Sequence, residues 1–291
     1  MELGRVITAM ATPFRKDGSL DTDGAAKLAR HLIDHGSDGL VIAGTTGEAP
    51  TLTHEEKRDL WTAVAEAVKD KAPVIAGTGT YSTAESIELT ETAEQAGADA
   101  ILLVTPYYSR PPQSGLAAHF KAIAAATSLP IVLYDIPGRT ARKIEHETLL
   151  ELAEVPNIVG VKDAAGDPAG TAKLAAAAPA FKIWSGDDAL TLPMLAVGAI
   201  GVVSVASHLV GHRLREMVAA HDKGDTEGAA QINRELVPLY EALFITANPI
   251  PLKAALEMVG LPAGPVRLPL VDATPAERDR VSSALAGLGL I

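Results

Sequence analysis

Short runs of Val, Ile, Leu and Ala recur along the first two thirds of the chain, separated by segments whose apolar residues return every three or four positions. The runs are "RVITAMA" at 5–11, "GLVIAG" at 39–44, "PVIAGTG" at 73–79, "AILLVTP" at 100–106, "PIVLYDIP" at 130–137, "IVGVKDA" at 158–164, "KIWSGDD" at 182–188 and "GVVSVAS" at 201–207. Continuous apolar runs of this length suit strands covered on both faces, as in parallel sheets. The intervening segments carry helix start signals. "THEEKRDLWTAVAEAVKD" opens with Thr53 and has Glu56 three residues on, and Ser82 and Glu85 stand in the same relation in "STAESIELTETAEQAGA". Both pairs predict capping boxes, and Gly97 supplies the stop of the second helix.

Strand and helix alternating eight times predict an α/β fold, a (β/α)8 TIM barrel over residues 1–224. Beyond about residue 208 the chain reads as helices only: "HRLREMVAAHDKG", "TEGAAQINRELVPLYEALF", "PIPLKAALEMVG" and "TPAERDRVSSALAGL". The first serves as the eighth barrel helix, which leaves a C-terminal helical extension over 225–291. With no long linker or low-complexity segment, the expectation is one barrel with an appendage.

Composition narrows the function classes. A formal net charge of −11 argues against non-specific binding to nucleic acid or an anionic membrane. The absence of Cys excludes disulfides, thiolate metal sites and cysteine nucleophiles. The N-terminus "MELGRVITAMATPF" lacks the pattern of a signal peptide. The most membrane-like stretch, "LPMLAVGAIGVVSVAS" at 192–207, is interrupted by Pro193, Gly198 and Gly201 and reads as a buried helix followed by a buried strand. A cytoplasmic location is the expectation.

In such a barrel, ligands sit at the C-terminal ends of the strands. Those ends carry Gly44 to Glu48, Thr105 to Tyr108, Tyr134 to Arg139, Lys162, Gly186 to Asp188, and Ser204, all small or polar groups able to converge on one cavity. Lys162 stands out as the single charge within an apolar run. Strand alternation puts Ile158, Gly160 and Lys162 on one face and Val159 and Val161 on the other. With the valines under the helices, Lys162 points inward and Gly160 leaves space beneath it.

Two readings fit Lys162. It snorkels from the barrel mouth or pairs with Asp163, or it is an amine nucleophile that forms a Schiff base with a carbonyl substrate. A lysine with a pKa near 10.4 is about one part in 2,500 neutral at pH 7. Burial that lowers the value by about 3 units raises this to near a third. Tyr134 is either a core tyrosine with a satisfied hydroxyl or a proton relay to the lysine. "GTTGE" is an ordinary turn or a cradle for a small carboxylate. Arg139 is a solvated loop arginine or a bidentate carboxylate clamp.

Asp187 and Asp188 lack a nearby His or Glu to complete a metal site, and the His31/His35 and His208/His212 pairs lack a carboxylate placed as in H-E-x-x-H. Nucleotide-binding glycine motifs are absent.

Taken in order, "ATPF", "GTTGE", "TPYYSRP", "LYDIPGRT", "GVKDA", "SGDD", "GVVSV" and "NPIPLK" run through essentially the whole chain. They resemble the motifs of the dihydrodipicolinate synthase / N-acetylneuraminate lyase family of class I, pyruvate-dependent aldolases. "GTTGE" together with Arg139 favours the synthase branch over the sugar-acid lyases, which typically read "GSTGE" and lack that arginine.

The resemblance implies that Lys162 forms the imine with pyruvate and that Tyr134 donates and accepts the proton. It implies a relay completed by Thr45 and Tyr108, and pyruvate held by Thr46 and the Val203 backbone. Arg139 would bind the carboxylate of L-aspartate 4-semialdehyde, and Gly186 would line the cavity. No metal or organic cofactor is implied, because the covalent imine on Lys162 is the electron sink. The implied assembly is a homotetramer built from two tight dimers, with Tyr108 reaching into the partner's site.

The residues around the family's lysine-effector site depart from the lysine-inhibited pattern: Ala49, Pro50, His54, Lys57 and Tyr81 stand there, while Glu85 and Tyr107 match. A cationic Lys57 beside a cationic effector implies weak or absent inhibition by lysine. Another pyruvate aldolase acting on sugar acids, and a non-catalytic keto-acid-binding barrel, are the competing readings.

Overall fold

The computed structural model describes residues 2–291. Its eight strands are β1 (Val6–Ala9), β2 (Gly39–Ile42), β3 (Val74–Gly77), β4 (Ala100–Val104), β5 (Ile131–Asp135), β6 (Ile158–Asp163), β7 (Lys182–Ser185) and β8 (Gly201–Ser204). They close in sequence order into an all-parallel barrel, with β8 paired back onto β1. The fold is the expected (β/α)8 barrel with C-terminal helices.

The connecting helices are α1 (Thr22–Asp34), α2 (His54–Val68), α3 (Thr83–Gln95), α4 (Gln113–Ala124), the short α5 (Pro137–Thr140), α6 (His146–Ala153), α7 (Pro168–Ala177), α8 (Thr191–Leu195) and α9 (Ser207–Asp222). The extension holds α10 (Thr226–Leu243), α11 (Ile250–Met258) and α12 (Pro275–Gly287). None of the described helices is long and apolar enough to cross a membrane.

Alternation along the strands sorts their side chains into two apolar layers. Leu40, Ile42, Ile101, Leu103 and Leu133 face outward and pack under the helices. Val41, Leu102, Val132, Tyr134, Trp184 and Val203 fill the barrel interior. The predicted box at α2 forms in both directions between Thr53 and Glu56. At α3 only half forms: Ser82 caps Glu85 N–H, while the Glu85 carboxylate turns away and accepts from His54 Nε2 at 3.1 Å.

One strand breaks the simple alternation. Between β5 and β6 the register skips from Ile131 opposite Ile158 to Val132 opposite Gly160, leaving Val159 as an extra residue. Ile158 therefore packs outward and Val159 against the interior, contrary to the expected pairing of faces. Beyond the bulge the expected phase returns. Val161 lies outward and Lys162 inward. The space beneath the lysine is not empty, either: a Cβ at Gly160 would lie 2.2 Å from the Lys182 carbonyl oxygen and 2.8 Å from the Trp184 ring. The glycine admits the indole, and the indole forms a floor.

The extension is more than an appendage. α10 packs on α9 and α12 on α11, with Leu236, Leu243, Leu252, Leu256 and Val281 joining the outer apolar layer. Residues 248–267 then return over the mouth of the barrel and bond to the loop after β2, as described below.

Gly160→Val should force the Trp184 floor to shift and cost on the order of 1–3 kcal/mol of stability, read as a lower urea midpoint. An unchanged midpoint would show that the indole is not seated against this glycine.

Candidate active site

Lys162 sits one position from the end of β6, directly between Tyr134 of β5 and Trp184 of β7 in the strand register. All three side chains enter the barrel. Lys162 is only 5 % exposed, which rules out snorkelling. Nor does it pair with Asp163, whose carboxylate faces outward and accepts from Ala165 N–H and the Thr171 hydroxyl. Its Nζ lies 4.1 Å from the centre of the Tyr134 ring, a cation–π distance. No carboxylate among the described residues lies within ion-pair distance of it. Gly186 supplies clearance from the next strand, since a Cβ there would approach Lys162 Cε to 3.2 Å and Ala164 Cβ to 2.8 Å.

Across the barrel, the loop after β2 presents Thr45 and Thr46. Thr45 lines a cavity of about 490 Å³ together with Tyr134, Arg139 and Thr140. Thr46 is buried, and its Oγ1 accepts from Asn248 Nδ2 at 2.9 Å. Glu48 closes the loop in a left-handed conformation at φ 55°, a strained choice for a residue with a side chain. Its carboxylate is held on both oxygens: Oε1 lies 2.6 Å from Lys253 Nζ, and Oε2 accepts from Arg267 N–H at 2.9 Å. Arg267 also donates to Glu56, Thr51 and Gly18, and both cations lie about 4 Å from the Phe14 ring centre. "GTTGE" and "NPIPLK" stand out in the sequence as motifs, but neither reveals that the glutamate of one and the lysine of the other are an ion pair. The signal available was a Glu and a Lys in two apolar, strongly patterned segments.

Arg139 rides on α5, exposed at the rim of the same cavity. Its loop is tied down by Asp135, which accepts from Ile144 N–H at 3.1 Å. Burial, with the Asp163 carboxylate as a smaller contributor, pushes the Asp135 carboxyl up to about 7. Val203 is buried in the barrel interior beside Ile7.

Not every expected member lines this cavity: Thr46, Lys162 and Gly186 lie beyond its lining, and Tyr108, Ser204 and Asp188 point elsewhere. Tyr108 is 94 % exposed with φ 67° and points away from its own barrel, while Tyr107, half-buried against Tyr81, takes the place beside the cavity. Ser204 and Asp188 face each other outside the barrel: Asp188 accepts from the Ser204 hydroxyl and from Val205 and Ala206 N–H, securing the start of α9. His208 is likewise spent, donating to Val205 O and accepting from Ala11 N–H. Among the described residues, no cluster of three or more His, Asp or Glu is placed to hold a metal ion.

Residues 2–287 match the dihydrodipicolinate synthetase family. The chain belongs to that family. The 4-hydroxy-tetrahydrodipicolinate synthase of Moorella thermoacetica is 58% identical over 292 residues, covering 100% of both chains. Among solved structures, the family member from Cyanidioschyzon merolae with lysine bound superposes at TM-score 0.98 with 47% identity over 99% of both chains. The Acinetobacter baumannii synthase complexed with pyruvate gives 0.97 with 40% identity over 100% of both. The activity of this chain is accordingly that of a 4-hydroxy-tetrahydrodipicolinate synthase.

Ala49, Pro50, His54, Lys57, Tyr81, Glu85 and Tyr107 also line this cavity. Lys57 is buried, and desolvation draws its pKa down while Glu85 opposes the shift. The Glu85 carboxylate, bonded to His54, is already engaged.

Asp135 gives this site a pH signature. Its folded value of about 7 lies above the ordinary aspartate value of 3.8, so between those limits the native state keeps a proton that the unfolded chain has lost. Stability from this group is complete below about pH 4 and is lost as pH rises through 7, by a few kcal/mol at most. Asp135→Asn keeps an acceptor for Ile144 N–H and should raise the unfolding midpoint at pH 8 but hardly at pH 4. Equal shifts at both pH values would contradict this.

Proposed function

We propose that the chain condenses pyruvate with L-aspartate 4-semialdehyde in lysine biosynthesis through an imine on Lys162, with the roles that follow. The observation that carries the reading is the buried Lys162 amine, set between Tyr134 and Trp184 without a carboxylate partner. An amine in such a place, inside the barrel and beside a phenol, is positioned to attack a carbonyl carbon.

Lys162 Nζ attacks the ketone carbon of pyruvate, and loss of water gives the protonated imine. Thr46 and the Val203 backbone hold the pyruvate carboxylate end. Withdrawal of electrons into the iminium lets a methyl proton leave, with Tyr134 as the nearest phenol to carry it. The resulting enamine attacks the aldehyde carbon, forming the new carbon–carbon bond, while Arg139 pairs with the second substrate's carboxylate. The amine of that substrate then displaces Lys162 by transimination, closing the ring and freeing the enzyme. Gly186 keeps the path of the lysine chain open.

Tyr108 cannot join this relay within its own chain, being exposed and turned away by its left-handed backbone. That placement supports a second subunit as its destination, in a dimer within a homotetramer, where it would complete the relay with Thr45. A cytoplasmic location fits the same reading.

The aldehyde is tested by rates: pyruvate with aspartate semialdehyde should outpace pyruvate with sugar aldehydes, and the reverse order would favour a sugar-acid aldolase. Arg139→Ala should raise KM for the semialdehyde by roughly 10- to 100-fold, the loss of a charge-assisted pair. Lysine should inhibit weakly or not at all, and potent inhibition at micromolar lysine would overturn that reading of Lys57. Subunit sharing is tested by mixing Tyr108→Phe with Lys162→Ala chains under conditions of subunit exchange. Activity should recover toward about a quarter of wild type, since about half of randomly formed dimers hold one complete site. No recovery would keep Tyr108 out of the partner's site.

A further inference from the structure

We propose that Asn248, between α10 and α11 of the C-terminal extension, is a positioning residue that sets the Thr46 hydroxyl as a hydrogen-bond donor to the pyruvate carboxylate. The proposal rests on the reading above that Thr46 holds that carboxylate.

With its nitrogen toward Thr46, the Asn248 amide gives the bond a direction. Asn248 Nδ2 donates to Thr46 Oγ1 at 2.9 Å across 202 residues of sequence, between two side chains that are both more than nine-tenths buried. A hydroxyl has one proton to donate and two lone pairs. With one lone pair occupied by the amide, its own proton is left for another acceptor. An ionised carboxylate only accepts, so a Thr46 hydroxyl fixed in this sense matches pyruvate and a hydroxyl fixed in the opposite sense does not.

The amide has no second task. Asn248 Oδ1 is buried with no hydrogen-bond partner among the described residues, so the side chain's polar attachment to the rest of the molecule is the bond to Thr46. The same stretch of the extension anchors the same loop twice more, through Lys253 on Glu48 Oε1 and Arg267 N–H on Glu48 Oε2. Those contacts place the loop, and Asn248 sets the direction of one hydroxyl on it.

Asn248→Asp makes the test, because a carboxylate at 248 accepts from Thr46 and reverses the bond. Steady-state KM for each substrate, kcat and the melting temperature are measured for Asn248→Asp, Asn248→Ala and Thr46→Val. The expected result is a rise in pyruvate KM of about 10- to 100-fold in Asn248→Asp, from loss of a charge-assisted hydrogen bond. A smaller rise is expected in Asn248→Ala, with KM for the semialdehyde within about two-fold throughout.

Wild-type pyruvate KM in Asn248→Asp, with a raised value in Thr46→Val, would overturn this proposal alone. Unchanged pyruvate KM in Thr46→Val would overturn the role of Thr46 and the proposal with it. A joint change of both KM values, kcat and melting temperature in the two Asn248 variants would mark a structural brace and also overturn it. Should Asn248→Asp not fold, Asn248→Ala decides: a selective rise in pyruvate KM supports the proposal, and no rise refutes it.

Discussion

Everything at the mouth of this barrel is arranged around one buried amine that no carboxylate neutralises. Burying an ammonium without a partner is costly, and the fold meets that cost only partly, with the face of the Tyr134 ring at 4.1 Å. The neighbours follow from this constraint. Trp184 forms the floor because Gly160 has no side chain to exclude it, and Gly186 leaves the methylene stem unobstructed. Asp163, the nearest carboxylate in sequence, is turned outward and committed to Ala165 and Thr171.

Charge is paired lavishly one layer away. Glu48 and Lys253 form an ion pair with side chains almost wholly removed from solvent. Buried pairs add little net stability against an apolar alternative, and breaking one by removing a single partner is severe, about 3–5 kcal/mol. Such a pair is better understood as fixing geometry. Here it holds a left-handed Glu48 at the end of the loop that carries Thr45 and Thr46. The extension thereby becomes part of the site, although every strand of the barrel precedes it in sequence.

The barrel was readable from the sequence because each strand is an apolar run bounded by helix signals, and local pattern is what both periodicities report. The inward direction of Lys162 was also correct, although by a route the structure amends. The bulge at Val159 shifts the phase of the strand's first half and leaves the half that matters intact. Tyr107 and Tyr108 show the limit. Which of two adjacent tyrosines turns inward depends on a positive φ at Tyr108, and nothing in "TPYYSRP" encodes that visibly. Asn248 on Thr46 and Lys253 on Glu48 are contacts across about two hundred residues, which periodicity cannot register. Ser204 and Asp188 stand at strand ends as cavity groups do, yet they face out of the barrel, and position at a strand end alone does not distinguish the two faces.

The central claim, that Lys162 is the nucleophile, is tested most directly by intact-protein and peptide mass spectrometry after borohydride reduction in the presence of pyruvate. The account predicts a single reduced pyruvate adduct per chain, on the peptide containing Lys162 and absent from Lys162→Ala. No adduct, or one on another lysine such as Lys57 or Lys253, would contradict it.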